Sequence, residues 1–238
     1  MYWVKISDEQ INKMFEFCKT SSFSISYDSL RKIIFCEKSD YPNKIKIRHS
    51  INSNFSLEDS TLHPLEFQNQ VFISIKSGMA AVAYYENLHL ADHKVFRAYM
   101  VRKKQGKSQI KYLKTKGKSR AGSRVRLQET LDFFEDINER LQSYFGENRV
   151  DLIAFGCSPT LFPYFFQSKK VTPFEKSDPR IFKIPVHIPS ATFENLQKAY
   201  GSISQSKIWV DENNKSIVTS VLDLKGRSDQ MENPSEDW

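Results

Sequence analysis

The sequence lacks the long apolar runs, the paired cysteines and the clustered histidines that mark membrane and metal-binding proteins. No stretch of about 18 apolar residues occurs, so no membrane-spanning helix is predicted. The N-terminal residues lack the basic and apolar regions of a secretory signal. The cysteines are odd in number and widely spaced, as expected of reduced thiols in a cytoplasmic protein. They are Cys18, Cys36 and Cys157.

Zinc-type spacing and low-complexity composition are also missing. The five histidines form no HExxH or paired pattern, so we expect neither a metal nor a cofactor. Only 8 Gly and 9 Pro occur, which excludes a low-complexity chain. With 18 Phe and 10 Tyr in 238 residues, a packed core can form, in one domain with or without a small appendage.

Acidic residues are absent from one long stretch of the chain. Between Lys94 and Gln128 there are 13 Lys or Arg and no Asp or Glu, whereas the other 22 basic residues are outnumbered by 28 acidic ones. A block of like charge repels itself unless a polyanion neutralises it. Nucleic acid is the favoured partner, because the block lacks the apolar face of a membrane-surface helix. A solvated surface loop is the alternative.

The N-terminal part is predicted to be a helix followed by strands. Apolar residues recur at helical spacing over 11–18, with Ser7 or Asp8 as the cap. Strands are predicted at 33–35 and 45–48, around a turn at 41–43, and a polar loop at 52–60.

The middle of the chain is predicted to be an antiparallel meander, a basic loop and a long helix. Strands at 71–75, 79–85 and 95–101 are separated by short turns, the first at Gly78. The basic loop, 102–122, has no clear period. The following helix contains Leu127 to Phe145 and is predicted to begin at Ser119 or Ser123 and to end at Gly146.

The C-terminal part alternates strands and helices. The predicted elements are a strand at 150–155, a helix at 158–167, a helix from Ser190 to Tyr200 ended by Gly201, and strands at 207–210 and 217–222. This order predicts an α/β layered fold with a mixed sheet. We divide the chain into a small N-terminal α+β extension (1–60), a main domain (61–222) and a flexible acidic tail (223–238).

The basic loop contains one compact polar motif, Gln105-Gly106-Lys107-Ser108-Gln109. Gly106 permits unusual backbone angles and can present Ser108 and Gln109 at a tip. Glutamine can orient a water or a ribose hydroxyl, or stabilise a developing oxyanion. The surrounding cations neutralise phosphates without reading sequence. The RNA-binding candidates are Arg102, Lys103, Lys104, Lys111, Lys114, Lys116, Lys118, Arg120, Arg124 and Arg126.

The segments around this motif resemble the Vms-type release-factor-like family. The resemblance lies in His93 to Gln109, in the Lys-Gly-Lys and Ser-Arg-Ala-Gly-Ser residues of 116–123, and in the proline-containing stretch Lys183 to Thr192. It covers roughly residues 71–211, in the same order.

The resemblance implies a fold and an activity. Family members share the RNase-H-like layered fold of the middle domain of eukaryotic and archaeal release factors. They act in ribosome-associated quality control, where they detach nascent chains from peptidyl-tRNA by ester hydrolysis or by a cut near the 3′ CCA end. The implied partners are the large ribosomal subunit, peptidyl-tRNA and rRNA, with the protein as a monomer. Gln109 and Ser108 take the catalytic positions, and Gly106 and Lys107 lie in the catalytic loop.

Lys107 departs from this pattern, since the family usually has glycine there. A side chain at this position penalises positive φ. A non-catalytic ribosome- or RNA-binding factor therefore stays an alternative.

Other residues support less specific interpretations. A magnesium-dependent nuclease would need a carboxylate cluster, for which only Asp92 and Asp151 are candidates. Cys157, Trp209 and the phenylalanines are assigned to core or turn positions. Tyr99 and Tyr112 interleave with basic residues and are candidates for stacking on a base or ribose.

Overall fold

The computed structural model describes residues 1–39, 41–65, 67–98, 118–223 and 231–232 of the chain. Side chains are described in these ranges except at 41–43, 118–129 and 231–232.

The described strands and helices alternate along the chain in the following order. The strands are β1 (Tyr2–Lys5), β2 (Ser24–Asp28), β3 (Ile33–Lys38), β4 (Tyr41–Arg48), β5 (Ser53–Ser56), β6 (Thr61–Pro64), β7 (Gln70–Lys76), β8 (Met79–Glu86), β9 (His89–Arg97), β10 (Leu152–Cys157), β11 (Ile181–Lys183), β12 (Lys207–Val210) and β13 (Met231–Glu232). The helices are α1 (Asp8–Thr20), α2 (Lys118–Glu147), α3 (Phe162–Phe166), α4 (Phe193–Ile203) and α5 (Lys215–Leu222).

The chain divides into two compact units, each assembled from separate segments. The first comprises 1–68, 182–187 and 198–238, and the second comprises 69–181 and 188–197. The first unit is larger than the N-terminal extension expected from the sequence. The reason is non-local pairing, because β1 pairs with β12 and β13 near the other end of the chain.

The first unit is built on a six-stranded sheet in the order β13-β1-β12-β4-β3-β2. α1 and α5 supply the apolar residues that pack on one face, including Phe15, Met14 and Val218. The predicted Ser7 cap of α1 is confirmed, since the Ser7 hydroxyl accepts from the Gln10 backbone N–H and the Gln10 side chain accepts from the Ser7 backbone N–H. This reciprocal capping box satisfies two donors that a helix start leaves unpaired.

The second unit is built on a five-stranded sheet in the order β11-β10-β7-β8-β9. β7, β8 and β9 form the predicted antiparallel meander, and β10 runs parallel to β7. The sheet is therefore mixed, as predicted. The RNase-H-like layering stays a prediction. Gly78, with φ of 75°, makes the turn between β7 and β8, a backbone conformation that a side chain would strain.

α2 and α3 bury one face of this sheet. The shared core contains residues from both helices and from the strands below them, such as Phe134, Ile137, Phe155 and Phe165. Phe96 on β9 also belongs to this core. The core therefore fixes α2 against the strand that precedes the basic loop.

Several predicted boundaries differ from the structure. The segment 217–222 is helical in α5, not a strand, and Gly146 and Gly201 lie inside helices instead of ending them. The third meander strand ends at Arg97.

Other differences are shifts in where elements begin. The residues 41–43 belong to β4, the expected polar loop at 52–60 contains β5, and the helix predicted from residue 158 spans only Phe162–Phe166. α2 begins at Lys118, so Ser119 and Ser123 are helical positions and not caps.

No helix in the described ranges has both the length and the mean hydropathy needed to cross a membrane.

Candidate functional site

In the sequence, the basic loop follows β9 and precedes α2, two elements of the second unit. The last described contact before the loop is a hydrogen bond from the Ala98 backbone N–H to the carbonyl of Gly78, at 3.0 Å. The first described residue after it is Lys118, in α2.

Most of the predicted site residues lie outside the described residues. These are Arg102, Lys103, Lys104, Gly106, Lys107, Ser108, Gln109, Lys111, Lys114 and Lys116, together with Tyr99 and Tyr112. Lys118, Arg120, Arg124 and Arg126 lie in α2, and only their backbone is described. Their roles in RNA binding and catalysis stay predictions, and the described residues define what the loop is attached to.

The sheet edge at the base of the loop gathers several strand ends. The carboxyl ends of the parallel strands β7 and β10 meet here, with Cys157 opposite Ile75. The Ser158 backbone N–H donates to the Ile75 carbonyl at 3.3 Å. Since Arg97 on β9 is opposite Met79 on β8, the loop departs from this same edge. Chain segments that follow strand ends at one edge are where open sheets place their functional groups.

Cys157 is the only thiol at this edge among the described residues, and its environment disfavours a nucleophilic role. Its Sγ donates to the Ser158 carbonyl at 3.4 Å. Burial raises the pKa of the thiol to about 12, despite an opposing effect from Lys76. The neutral thiol therefore prevails near pH 7, and the thiolate is the nucleophilic form.

An ion-pair cluster joins β9 directly to α2. One Asp92 carboxylate oxygen accepts hydrogen bonds from the Arg140 guanidinium and from the Tyr144 hydroxyl, the latter at 2.6 Å. The Arg140 guanidinium lies 4.9 Å from the centre of the Tyr144 ring. The Tyr144 ring in turn stacks on Tyr84 of β8, with ring centres 5.5 Å apart. The strand before the loop and the helix after it are thus tied to each other. We call Asp92, Arg140 and Tyr144 the Asp92 cluster.

The electrostatics of the Asp92 cluster favour the ionised carboxylate. Burial opposes ionisation of Asp92, but the hydrogen bonds from Tyr144 and Arg140 outweigh burial and lower the pKa of the carboxyl. Burial, reinforced by the bond to Asp92, raises the pKa of the Tyr144 hydroxyl, which therefore stays protonated as a donor. The cluster is a stable charge pair and not a proton-transfer site.

α2 is longer than the strand it packs against. Its 30 residues span roughly 45 Å, at about 1.5 Å per residue. The nine residues of β9 span roughly 30 Å. Because residues near the C-terminal end of α2 contact Asp92 near the start of β9, the excess length lies at the N-terminal end of the helix. The residues of α2 that pack on the sheet core lie between Phe133 and Phe145, and the basic turns precede them along the helix.

Asn138 fixes α2 on its other side. Its buried side-chain amide donates to the Phe165 carbonyl at 3.1 Å and to the Lys170 carbonyl at 2.9 Å. These bonds satisfy carbonyls at and beyond the end of α3 that the short helix leaves unpaired. Asn138 and the Asp92 cluster thus hold the same helix from two directions.

The opposite face of β9 carries a different contact. Side chains alternate along a strand, so His93 points away from the core that receives Phe96. The His93 ring stacks on Phe193 at the start of α4, with ring centres 3.6 Å apart.

The two carboxylates considered for a magnesium site are engaged with protein groups. Asp92 belongs to the cluster described above, and Asp151 accepts from Arg149 at 2.5 Å and from the Asn69 backbone N–H at 3.0 Å. Within the described ranges, no three His, Cys, Asp or Glu residues are grouped as metal ligands. These contacts give no support to a metal-dependent nuclease.

The comparison with protein families shows which family the chain belongs to. The model of the Bacteroidetes VLRF1 release factor family matches residues 70–211, more than half of the chain. The protein belongs to this family. The match confirms the resemblance seen in the sequence, and it includes the whole basic loop. The VLRF1 release factor match begins with β7 and ends just after β12.

Other comparisons add less. Among curated proteins, none matches the chain. A solved structure described as the Vms1 mitochondrial localization core is similar to it at 15% identity, with a TM-score of 0.43. That similarity covers 87% of this chain and 85% of the other.

The Asp92 cluster and the Asn138 contacts were not predicted from the sequence. Asp92 and Arg140 are separated by 48 residues, and only the structure brings them together. The one sequence signal was the spacing of Arg140 and Tyr144, which places both side chains on one helix face.

Proposed function

We propose that this VLRF1-family protein releases nascent chains from stalled large ribosomal subunits by cleaving peptidyl-tRNA. The bond is either the peptidyl ester or a phosphodiester near the 3′ CCA end. The observation that carries the proposal is the family match over residues 70–211, which includes the acid-free basic loop with Gln109.

The basic residues bind the RNA in this proposal. Lysines and arginines of the loop neutralise phosphates of rRNA and of the tRNA acceptor stem. In this proposal Lys118, Arg120, Arg124 and Arg126, in the first turns of α2, contribute to the same RNA-binding surface. Cations at a helix N-terminus oppose the helix dipole, so they cost stability that an RNA contact offsets.

Gln109 performs the positioning step. Its amide orients the attacking water or the ribose 2′-hydroxyl, and its backbone N–H faces the oxyanion that develops. Ser108 assists by hydrogen bonding, and Gly106 gives the backbone the freedom to present both. The Asp92 cluster supports this chemistry at a distance, because it keeps β9 and α2, and with them both ends of the loop, in fixed positions.

Substitution of Gln109 tests the catalytic assignment. In a reconstituted large subunit that holds peptidyl-tRNA, Gln109→Ala is expected to lower the single-turnover release rate by roughly 10²–10³-fold. Gln105→Ala is the matched control, since it removes the same side chain four positions earlier and is expected to leave the rate within about threefold. Analysis of the 3′ end of the released tRNA identifies the bond. Equal rates for the parent and Gln109→Ala would show that Gln109 is not catalytic.

A non-catalytic RNA-binding factor is the second candidate, and Lys107 is the residue that favours it. If the side chain at Lys107 prevents the active loop conformation, the parent gives no product while it still binds ribosomal RNA. Lys107→Gly then restores the usual family residue and should produce cleavage. Product formation by the parent protein rejects this candidate. Cleavage by the parent that persists in EDTA separates the catalytic candidate from a magnesium-dependent nuclease.

A further inference from the structure

The six-stranded sheet of the first unit has two chemically different faces. Ile45 and Ile47 of β4 point into the core shared with α1 and α5. Because side chains alternate along a strand, Lys44, Lys46 and Arg48 point to the opposite face. On the other strands of this sheet, residues that flank a core residue likewise point to the face opposite the core. The sheet therefore presents basic residues on the side away from α1 and α5, which the end of α4 also reaches, since the Lys207 Nζ donates to the Ser202 hydroxyl at 2.7 Å.

The strand register places aromatic residues among these cations. Lys46 is directly opposite Phe35 on β3, and Arg48 is opposite both Ile33 and Lys207 on its two neighbours. Directly opposite side chains in an antiparallel pair are close enough to interact. We call this the basic sheet face. Its members are Trp3, Lys5, Phe35, Lys44, Lys46, Arg48, Lys207 and Trp209.

Two tryptophans extend the basic sheet face along β1 and β12. Trp3 and Trp209 are opposite each other and meet edge to face, with ring centres 5.3 Å apart. The Arg48 guanidinium lies 4.8 Å from the centre of the Trp3 ring. Trp3 is buried, whereas Trp209 and Phe35 are half-buried and keep part of their surface accessible. Trp209 was predicted to lie in the core, but it lies on the opposite face of the sheet.

Positive charge exceeds negative charge on this face. In the described part of the sheet, five cations belong to it, against the carboxylates of Glu37, Asp28 and Glu232, the last of which is opposite Trp3 on the neighbouring strand. Of the five cations, Lys207 is buried and bonded to Ser202, so it is not presented to a ligand. Glu37 pairs with Lys44 at 2.8 Å, and Asp28 pairs with Arg31 in the adjoining turn at 3.8 Å. Glu37 and Asp28 are thus paired with nearby cations, and the cations of the face outnumber its carboxylates. The ligand that complements such a surface is polyanionic.

We infer that the basic sheet face binds single-stranded RNA. Unpaired bases can stack on the accessible surfaces of Phe35 and Trp209, and the phosphate between them can reach Lys46, which is directly opposite Phe35. A duplex hides its bases and offers only phosphates, so the aromatic residues favour a single strand. This surface lies in the first unit and does not depend on the loop chemistry proposed above. It gives the protein a second RNA contact.

Binding of a short, fluorescently labelled, unpaired RNA tests this inference. Fluorescence anisotropy is measured with the full-length protein, and all variants keep the same basic loop. Lys46→Glu is expected to weaken binding by about fivefold or more at low salt, and to reduce the slope of log affinity on log salt by about 0.7 for each phosphate that the variant leaves unneutralised. Phe35→Leu keeps an apolar side chain but removes the ring, and we expect binding about three- to tenfold weaker.

Lys13→Glu is the matched control. Lys13 is exposed on α1, which packs on the other face of the sheet, and the substitution makes the same change in net charge. We expect it to change the affinity by less than about twofold. Ultraviolet crosslinking adds a positional readout, with RNA adducts expected on peptides that contain Phe35 or Trp209.

Three results would overturn the inference. The first is equal weakening by Lys46→Glu and Lys13→Glu, which would reduce the effect to net charge. The second is an RNA duplex of the same length that binds as tightly and responds to Phe35→Leu no more than the control. The third is unchanged RNA binding in both face variants together with capture of a polyglutamate peptide by the parent, which would make the occupant an acidic polypeptide.

Discussion

His49 is buried in the first unit, in an environment that disfavours protonation of its ring. Its Nε2 lies 2.9 Å from the Tyr27 hydroxyl, and its Nδ1 lies 2.9 Å from both the Ser50 carbonyl and the Ser53 hydroxyl. Burial lowers the pKa of His49 to about 3, with a further contribution from Lys32. The ring is therefore neutral in the folded protein at pH values where an unfolded chain would bind a proton.

The stability of the first unit should fall as the pH decreases below about 6.5, the usual pKa of histidine. The folded pKa of His49 is the lower one, so its contribution is complete above about pH 6.5 and is lost between about 6.5 and 3. The expected slope approaches about 1.4 kcal/mol per pH unit. Urea denaturation at several pH values measures it. His49→Gln cannot bind the proton and should show a smaller slope over the same range, whereas an equal slope in both proteins would assign the effect to other groups.

The distance between residues along the sequence explains which residues of the site could be predicted. The loop motif at 105–109 and its basic flanks are contiguous, so the sequence alone identified them, and the family match includes them. From the sequence, Asp92 was considered as a metal ligand or as a turn or cap residue. Its actual partners, Arg140 and Tyr144, are 48 and 52 residues later in the chain, and no local sequence pattern indicates such a pairing.

The junction between β9 and α2 is the element-scale feature that matters for the proposed activity. The Asp92 carboxylate is 37% exposed and the Arg140 side chain is 33% exposed, so solvent screens the ion pair in part. The contribution of Asp92 to stability is therefore modest, while its effect on how the two elements are aligned can be larger.

Asp92→Asn is expected to lower the free energy of unfolding by about 1 kcal/mol, because a charged acceptor of two hydrogen bonds becomes a neutral amide. If the Asp92 cluster positions the loop, the release rate should fall by more than the loss of folded protein explains, with RNA affinity unchanged. Urea denaturation and single-turnover release give the two quantities. Asp136→Asn, at an exposed position of α2, is the control and should alter neither. A rate equal to that of the parent would limit Asp92 to a structural role.

Element types were predictable where periodicity and length agreed, and less so elsewhere. α1, β7, β8 and β12 follow clear patterns and were placed within a few residues, whereas β9 begins six residues before its predicted start. The segment 217–222 is rich in β-branched residues, which favour strands, but it folds as α5. Val218 and Leu222, four residues apart, are buried together in the core of the first unit. Tertiary burial thus outweighed local propensity.

At the scale of the whole molecule, the first unit is closed by strands from opposite ends of the chain. β12 lies between β1 and β4, and it is the only described strand that joins them. Contacts over such a separation cost loop-closure entropy before they contribute stability. The unit should therefore depend on its C-terminal segment.

Truncation after Ser206 removes β12 and α5, and we expect it to unfold the first unit. Hydrogen–deuterium exchange should show loss of protection at β1, β3 and β4, because β1 loses its neighbour and the core loses α5. The strands β7 to β9 should stay protected and serve as an internal control. Truncation after Asp223 keeps β12 and α5 and should preserve protection in both units. Protected β3 and β4 amides in the shorter chain would contradict this dependence.

The pairing of β1 with β12 also sets an order of events during synthesis of the protein. Tyr2 pairs with Val210, roughly 200 residues later in the chain. At about 5–20 residues per second, β1 waits roughly 10–40 s for its neighbour to be translated. During that time β1 cannot form its pairing with β12. A ribosome that stops before Lys207 would hold this chain with its first sheet unfinished, which is the kind of stalled complex that we propose as the substrate of this protein.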